Sequence, residues 1–245
     1  MTMFEYAKNA YKTMKDKPPQ ERWEYFWDYY KWIVIVVALV IFVLIQSIIT
    51  LANRKDVFFS GELINCLADT DLVEYDDRLG EHLGFDPEKE EIIFHTDVSF
   101  SDGGSGTDVD SFQILLAGIA TKSTDFVVGQ EKSFLQCAYH TSNMFADLRD
   151  CLDAETLAKL EGKLYYVDKA VKDQIDTTTL TMPETPDPFN PEVMADPIPV
   201  GIDITNCREF QDTYYPGEDA LYLGIVINST RTDITLEFID YLFSN

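Results

Sequence analysis

Hydrophobic positions along this chain fall into two regimes. From Trp32 to Asn53 no residue is charged over 22 positions, and the stretch Ile33 to Leu51 is aliphatic almost throughout. A 19-residue helix rises about 28 Å, close to the thickness of a bilayer's hydrocarbon core. Lipid leaves every backbone N–H and C=O to be bonded internally, so the run predicts one transmembrane helix. A cleaved signal peptide fits less well. The 31 residues before the run are long for a signal n-region, and no A-x-A site follows. Cys66 follows Leu63-Ile64-Asn65, but Asn65 is not small and the site lies more than ten residues past the run. The expectation is an uncleaved signal anchor over 32–53.

Just before the span the pattern becomes amphipathic. Pro18-Pro19 open a helix, since proline is tolerated in a first turn. Trp23, Phe26, Trp27 and Tyr30 recur at helical spacing, with Glu24, Asp28 and Lys31 on the other face. All three tryptophans of the chain (Trp23, Trp27 and Trp32) fall here. The pattern predicts an interfacial aromatic belt, with Trp23, Trp27, Tyr30 and Trp32 at the membrane surface. Docking of these rings on a membrane partner is the alternative. Six Lys and Arg residues precede the span, against Arg54 and Lys55 just beyond it. The positive-inside rule therefore expects residues 1–31 to be a cytoplasmic tail and 54–245 to lie outside the cell membrane.

Beyond the span, short apolar runs alternate with amphipathic stretches. Strands are expected at 57–68, 91–100, 125–129, 164–167, 199–204 and 220–228. Helices are expected at 71–83, 111–122, 130–139, 142–152, 153–161 and 232–243. Thr141 and Asp153 are candidate N-caps. Residues 175–197 form a Pro- and Thr-rich connector with no room for a helix or central strand. Strand–helix–strand alternation predicts an α/β domain, with a mainly parallel sheet flanked by helices. About 190 residues suffice for one core.

Charge narrows the partners. Residues 56–245 hold 11 bases against 38 acids. Phosphates would be repelled, so nucleic acid is not an expected partner. The acidity serves either as a solvated surface or as a site for Ca²⁺ or a cationic partner. Gly103 to Ser111 matches a calcium nonapeptide except at Asp110, but one copy cannot build a stacked repeat. Residues 69–81 start like an EF-hand loop, yet Glu74 stands where the turn requires glycine. An ordinary acidic loop is the expectation, and no metal or other cofactor is assigned. The four cysteines lie outside the span and show no CxxC or Cys/His cluster, so buried free thiols are expected. His95 reads as a core histidine. No nucleophile elbow, P-loop or HExxH is present, and the chain is not expected to be an enzyme.

In a parallel sheet the loops at the strand C-termini form the natural binding edge. The candidate ligand-binding residues there are Asp69 and Thr70, then Ser101, Asp102, Asp108 and Asp110, and finally Gly129 and Gln130, which open a helix N-terminus.

The run SFQILLAGIATKSTDFVVG resembles the solute-binding proteins of ABC importers, where an apolar helix ending in small residues precedes a short strand beginning with Asp. MFADLRDCLDAETLAKL resembles the small helices that follow in that family. ALYLGIVINSTRTDITLEFIDYLFSN is similar to its return strand and packing helix. YFWDYYKW before a single span is similar to uncharacterised signal-anchored proteins of clostridial-type Gram-positive bacteria. The resemblance implies one lobe of a solute-binding fold, with the Pro-rich connector standing where a second lobe would be. It implies a membrane-anchored binding module outside the cell, an accessory of a transporter or envelope complex. A small-ligand receptor with a reduced cleft is the alternative. With only three residues between Ala52 and Asp56, the partner is expected in or on the same lipid bilayer.

Overall fold

A computed structural model of the chain describes residues 18–68, 72–100, 106–140, 144–175, 184–215 and 220–244. The chain divides into two units, Met1–Arg54 and Lys55–Asn245.

In the first unit, Pro18 is extended and Pro19 sits in the first turn, where its missing N–H costs nothing. The helix α1 then runs without a break from Pro19 to Ala52. Within its last 22 residues, Lys31–Ala52, an 18-residue window reaches a mean hydropathy of 3.1 and none of that window is buried. Among the described residues this is the one helix long and apolar enough to cross a membrane. Trp23 and Trp27 stack at 6.2 Å, one turn apart, and both are exposed, as is Trp32. The side chain of Tyr30 lies outside the described residues.

The second unit is built on a six-stranded sheet. In chain order its strands and helices are β1 (Asp56–Leu63), β2 (Leu67–Ala68), α2 (Leu72–Leu83), β3 (Glu90–His95), α3 (Gly106–Ala120), β4 (Phe126–Gln130), α4 (Glu131–His140), α5 (Leu148–Cys151), α6 (Ala154–Lys159), β5 (Leu164–Asp168), α7 (Lys169–Lys172), β6 (Pro197–Asp203), α8 (Arg208–Thr213), β7 (Tyr214–Tyr215), β8 (Leu221–Ile225) and α9 (Thr232–Ser244). The spatial order is β3-β1-β4-β8-β6-β5, and β2 pairs with β7 in a separate ribbon.

The expected α/β class holds, but the sheet is mixed rather than mainly parallel. Only β3, β1 and β4 run parallel; β8, β6 and β5 each lie antiparallel to their neighbours. The reason lies in the connections. A parallel neighbour needs a helical crossover, and α2 and α3 supply one each. After β4 the chain turns back through short helices and extended connectors, and the last strand β8 inserts beside β4 in the opposite sense.

Two cores cover the two faces. One is centred on Phe59, Phe126 and Phe238 under α2 and α9; Phe59 and Phe126 stack at 5.0 Å. The other is centred on Val127, Phe134 and Tyr165 under α3 and α4. Several predicted boundaries move. The run 57–68 breaks at Asn65, whose φ of 59° reverses the chain between β1 and β2. The run 91–100 stops being a strand at His95, which is exposed, not a core residue. The helix expected from residue 111 begins at Gly106, and the helix expected over 142–152 is the four residues of α5. Asp153 caps α6 as expected, accepting from the Thr156 N–H at 2.7 Å. Thr141 lies outside the described residues.

Pro197 and Pro199 stand inside β6, a strand with neighbours on both sides in the sheet order, where proline is not expected. The pairing explains it. β6 meets β8 only at Ile202 and Asp203, while its first half pairs with β5 alone. Prolines offer no N–H, so that half of β6 cannot complete a second ladder. The vacated flank of β8 is taken by Phe145, bridged antiparallel to Val226, with Ala146 N donating to Ile225 O and Ile227 N to Met144 O. The sheet is therefore split between β8 and β6.

Candidate functional site

At the C-terminal edge of the parallel strands, only part of the sequence-derived set falls among the described residues. Asp69, Thr70, Ser101 and Asp102 lie outside the described residues. Asp108 falls in the first turn of α3, its side chain likewise undescribed, and Asp110 is exposed on the same helix. Gly129 is buried, and a Cβ there would come within 3.3 Å of the Phe134 N. Gln130 is half-buried where β4 passes into α4. The organiser of this edge is Asn65, which the sequence reading did not select. Its carboxamide oxygen accepts from Phe100 N at 2.8 Å and Ser99 Oγ at 3.1 Å. Its Nδ2 donates to Phe100 O at 3.0 Å and Ser133 Oγ at 3.1 Å. The hub ties the β1 turn to residues 98–100 and to α4.

The chain forms a cavity at the split in the sheet, at the edge where β1 begins. It has a volume of about 530 Å³, within the range of small-molecule sites. Val167 of β5, Ile198 and Val200 of β6, Tyr139 and Phe145 line it. The cavity exists because Phe145 occupies the flank of β8 that β6 leaves free. Phe145 is locked by a stack on Phe134 at 4.8 Å and 10°. Two glycines make that stack possible: a Cβ at Gly224 would lie 2.6 Å from the Phe145 ring, and one at Gly201 2.5 Å from Phe134.

The mouth carries charges of both signs. Asp147 caps α5 and is engaged by Arg149, with Nη2 2.6 Å from Oδ2. Lys169 is ion-paired to Asp173. Asp150 is exposed. Lys172 is half-buried, and among the described residues no acceptor is bonded to its Nζ. Burial pushes its pKa down, Asp173 pulls it up and Lys169 adds to the lowering. The floor of this region is fixed by Asp168, whose carboxylate accepts from the N–H groups of Ala170, Ala195 and Asp196. Those backbone donors hold its pKa below the ordinary carboxylate range.

Cys151 also lines the cavity and is the one half-exposed cysteine; Cys66, Cys137 and Cys207 are buried, and all four are free thiols, as expected from the sequence. Burial pushes the Cys66 thiol up to about 12 and Cys207 to about 11, and raises Cys137 as well. For Cys151, burial and the nearby Asp150 and Asp147 act together in the same direction. Burial shields Cys66, Cys137 and Cys207 from reagents, whereas Cys151 is the accessible thiol.

One further titratable group is buried under α3. Glu62 on β1 is 5% exposed and its Oε2 has no partner among the described residues. Burial, reinforced by Asp97 and opposed by Thr124, pushes its pKa to about 7. No group of three or more His, Cys, Asp or Glu side chains among the described residues could hold a metal ion. Of the EF-hand-like stretch, residues 72–81 lie in α2. Signals for the cavity were present in the sequence as Pro197 and Pro199. Lys172 and Cys151, which sit in short helices, had none. Comparison with known proteins finds no match: no family model, no curated protein and no solved structure is similar to this chain at a significant level.

Proposed function

We propose that this protein is a membrane-anchored, extracytoplasmic binding module that serves as an accessory of a transporter or envelope complex. The observation that carries the reading is α1, whose uncharged stretch 32–52 is exposed throughout, followed in the chain by a unit with its own two-faced core. A helix of that kind is costly in water and is at home in lipid. The excess of basic residues before the span supports a cytoplasmic N-terminus. The resemblance to one solute-binding lobe is supported by the parallel set β3-β1-β4, with β8 returning antiparallel beside β4 and leading into α9.

The test is made on native membranes. The protein is expected to resist alkaline carbonate, and external protease is expected to remove 56–245 while sparing the tail. A membrane protein should co-purify with the full chain. Extraction by carbonate would overturn the anchor, and protection of 56–245 in intact cells would overturn the orientation. A second reading, a small-ligand receptor, is favoured by the cavity of about 530 Å³ at the split in the sheet.

A further inference from the structure

We propose that the cavity between β8 and β6 binds a small monocarboxylate with an apolar body, its carboxylate held by Lys172 and its body packed on Phe145, Ile198 and Val200. The proposal rests on the receptor reading and names its ligand class. The argument begins with which charges are already satisfied. Asp147 is engaged by Arg149 and Asp173 by Lys169, so neither is free to select a ligand. Asp150 is exposed and water serves it. Lys172 differs, being half-buried at the cavity with no bonded acceptor among the described residues. A desolvated ammonium gains most from an anion that enters with it into an apolar setting.

The surroundings restrict that anion to one charge. Asp147, Asp150 and Asp173 ring the same cavity in a domain with a large acidic excess, so dicarboxylates and phosphates meet repulsion beyond the single lysine. The walls supply the rest. Phe145, Val167, Ile198 and Val200 offer apolar and aromatic surface, with Tyr139 also in the lining. The Tyr139 phenol oxygen accepts from the Asp168 N–H at 2.9 Å, which anchors the ring in the cavity lining.

Cys151 supplies the readout, because it lines the cavity and is the cysteine a thiol reagent can reach. Full-length protein in nanodiscs is treated with a maleimide, and modification of Cys151 is followed by peptide mass. The probes are 3-phenylpropionate, 3-phenylpropanol and 3-phenylpropylamine, alike in shape and different in charge. The acid is expected to slow Cys151 modification at least tenfold and saturably, the alcohol and amine less than twofold. Lys172→Met, which keeps the apolar stem, is expected to raise the half-protecting concentration of the acid at least tenfold. Val200→Phe, which fills the cavity while keeping Lys172, should abolish protection; it serves as a second variant if Lys172→Met is poorly folded. Equal protection by acid and alcohol, or undiminished protection of Lys172→Met, overturns carboxylate recognition while leaving a receptor. Protection by none of the three probes overturns the proposal and the receptor reading together, and leaves the anchored module to its own topology test.

Discussion

Asp125 and Arg231 form the interaction whose removal should be felt most. Asp125 immediately precedes β4 and is fully buried; Arg231 precedes α9, 106 residues later. Arg231 Nε lies 3.0 and 2.8 Å from the two carboxylate oxygens. The same carboxylate accepts from Ser60 N at 2.9 Å and Ser229 Oγ at 2.7 Å. Arg231 Nη1 in turn donates to Val57 O at 2.9 Å. Five bonds thus fasten β1, β4 and the approach to α9 at one point. Arg231→Met keeps most of the stem and strands the carboxylate with two of its donors. Breaking a buried pair from one side costs about 3–5 kcal/mol. In a domain of this size that is a fall in melting temperature of roughly 6–20 °C. Asp125→Asn/Arg231→Met, which removes both charges, should recover part of the loss, because the desolvation penalty leaves with the charge. All tryptophans lie in α1, so tryptophan fluorescence is blind to this unit; pulse proteolysis in urea reads it directly. A loss below about 1 kcal/mol for Arg231→Met, or a double variant no better than the single, would refute the argument.

Three other outcomes follow from the packing and the titrations. Glu62 binds its proton more tightly folded than unfolded, so its contribution is present below the ordinary value of 4.5 and is lost as pH rises to about 7. Glu62→Gln should remove that slope and gain up to about 3 kcal/mol at pH 8, read by urea unfolding at pH 5 and pH 8; Asp76, raised to about 6, leaves a smaller slope of the same sign. Gly224→Ala should cost about 1–3 kcal/mol by driving a methyl into the Phe145 ring, and Phe145→Leu should relieve part of it. Asp168→Asn should loosen residues 195–196, seen as faster amide exchange there. Since the folded pKa of Asp168 is depressed, its contribution is present above the ordinary carboxylate value and is lost as pH falls through the folded value.

Local rules made the fold class legible and left the sheet order obscure. Charge-free length identified the long apolar helix α1, and helical spacing placed α2, α3 and α9 because each buries one face. The parallel set was legible for the same reason, since α2 and α3 are crossovers between apolar strands. The direction of β8 was not legible, because an isolated five-residue apolar strand reads the same either way. The prolines of β6 speak against a central strand by themselves; in the structure they mark a strand central in order but unpaired on one flank. Asn65 escaped because its role depends on residues 34 to 68 positions away, and Lys172 because an isolated lysine in a short polar helix carries no pattern.

The insertion of β8 accounts for both the strongest clamp and the cavity. Running against β4, it brings its last residues to the edge where the parallel strands begin. There Val226 N donates to Asp125 O, and three residues further on Ser229 reaches the Asp125 carboxylate. On its other flank the same turn pairs Val226 with Phe145 and Ile227 with Met144, which displaces the first half of β6 and opens the cavity. Residues 225–231 therefore belong to the clamp on one side and to the cavity wall on the other. A ligand that fixes Phe145 must restrict this segment, and backbone restriction in one short strand end is shared by both its neighbours. Binding at Lys172 should accordingly slow amide exchange at Val226 and Ile227, whereas the Asn65 hub, at the opposite edge and bonded to neither, should exchange as before.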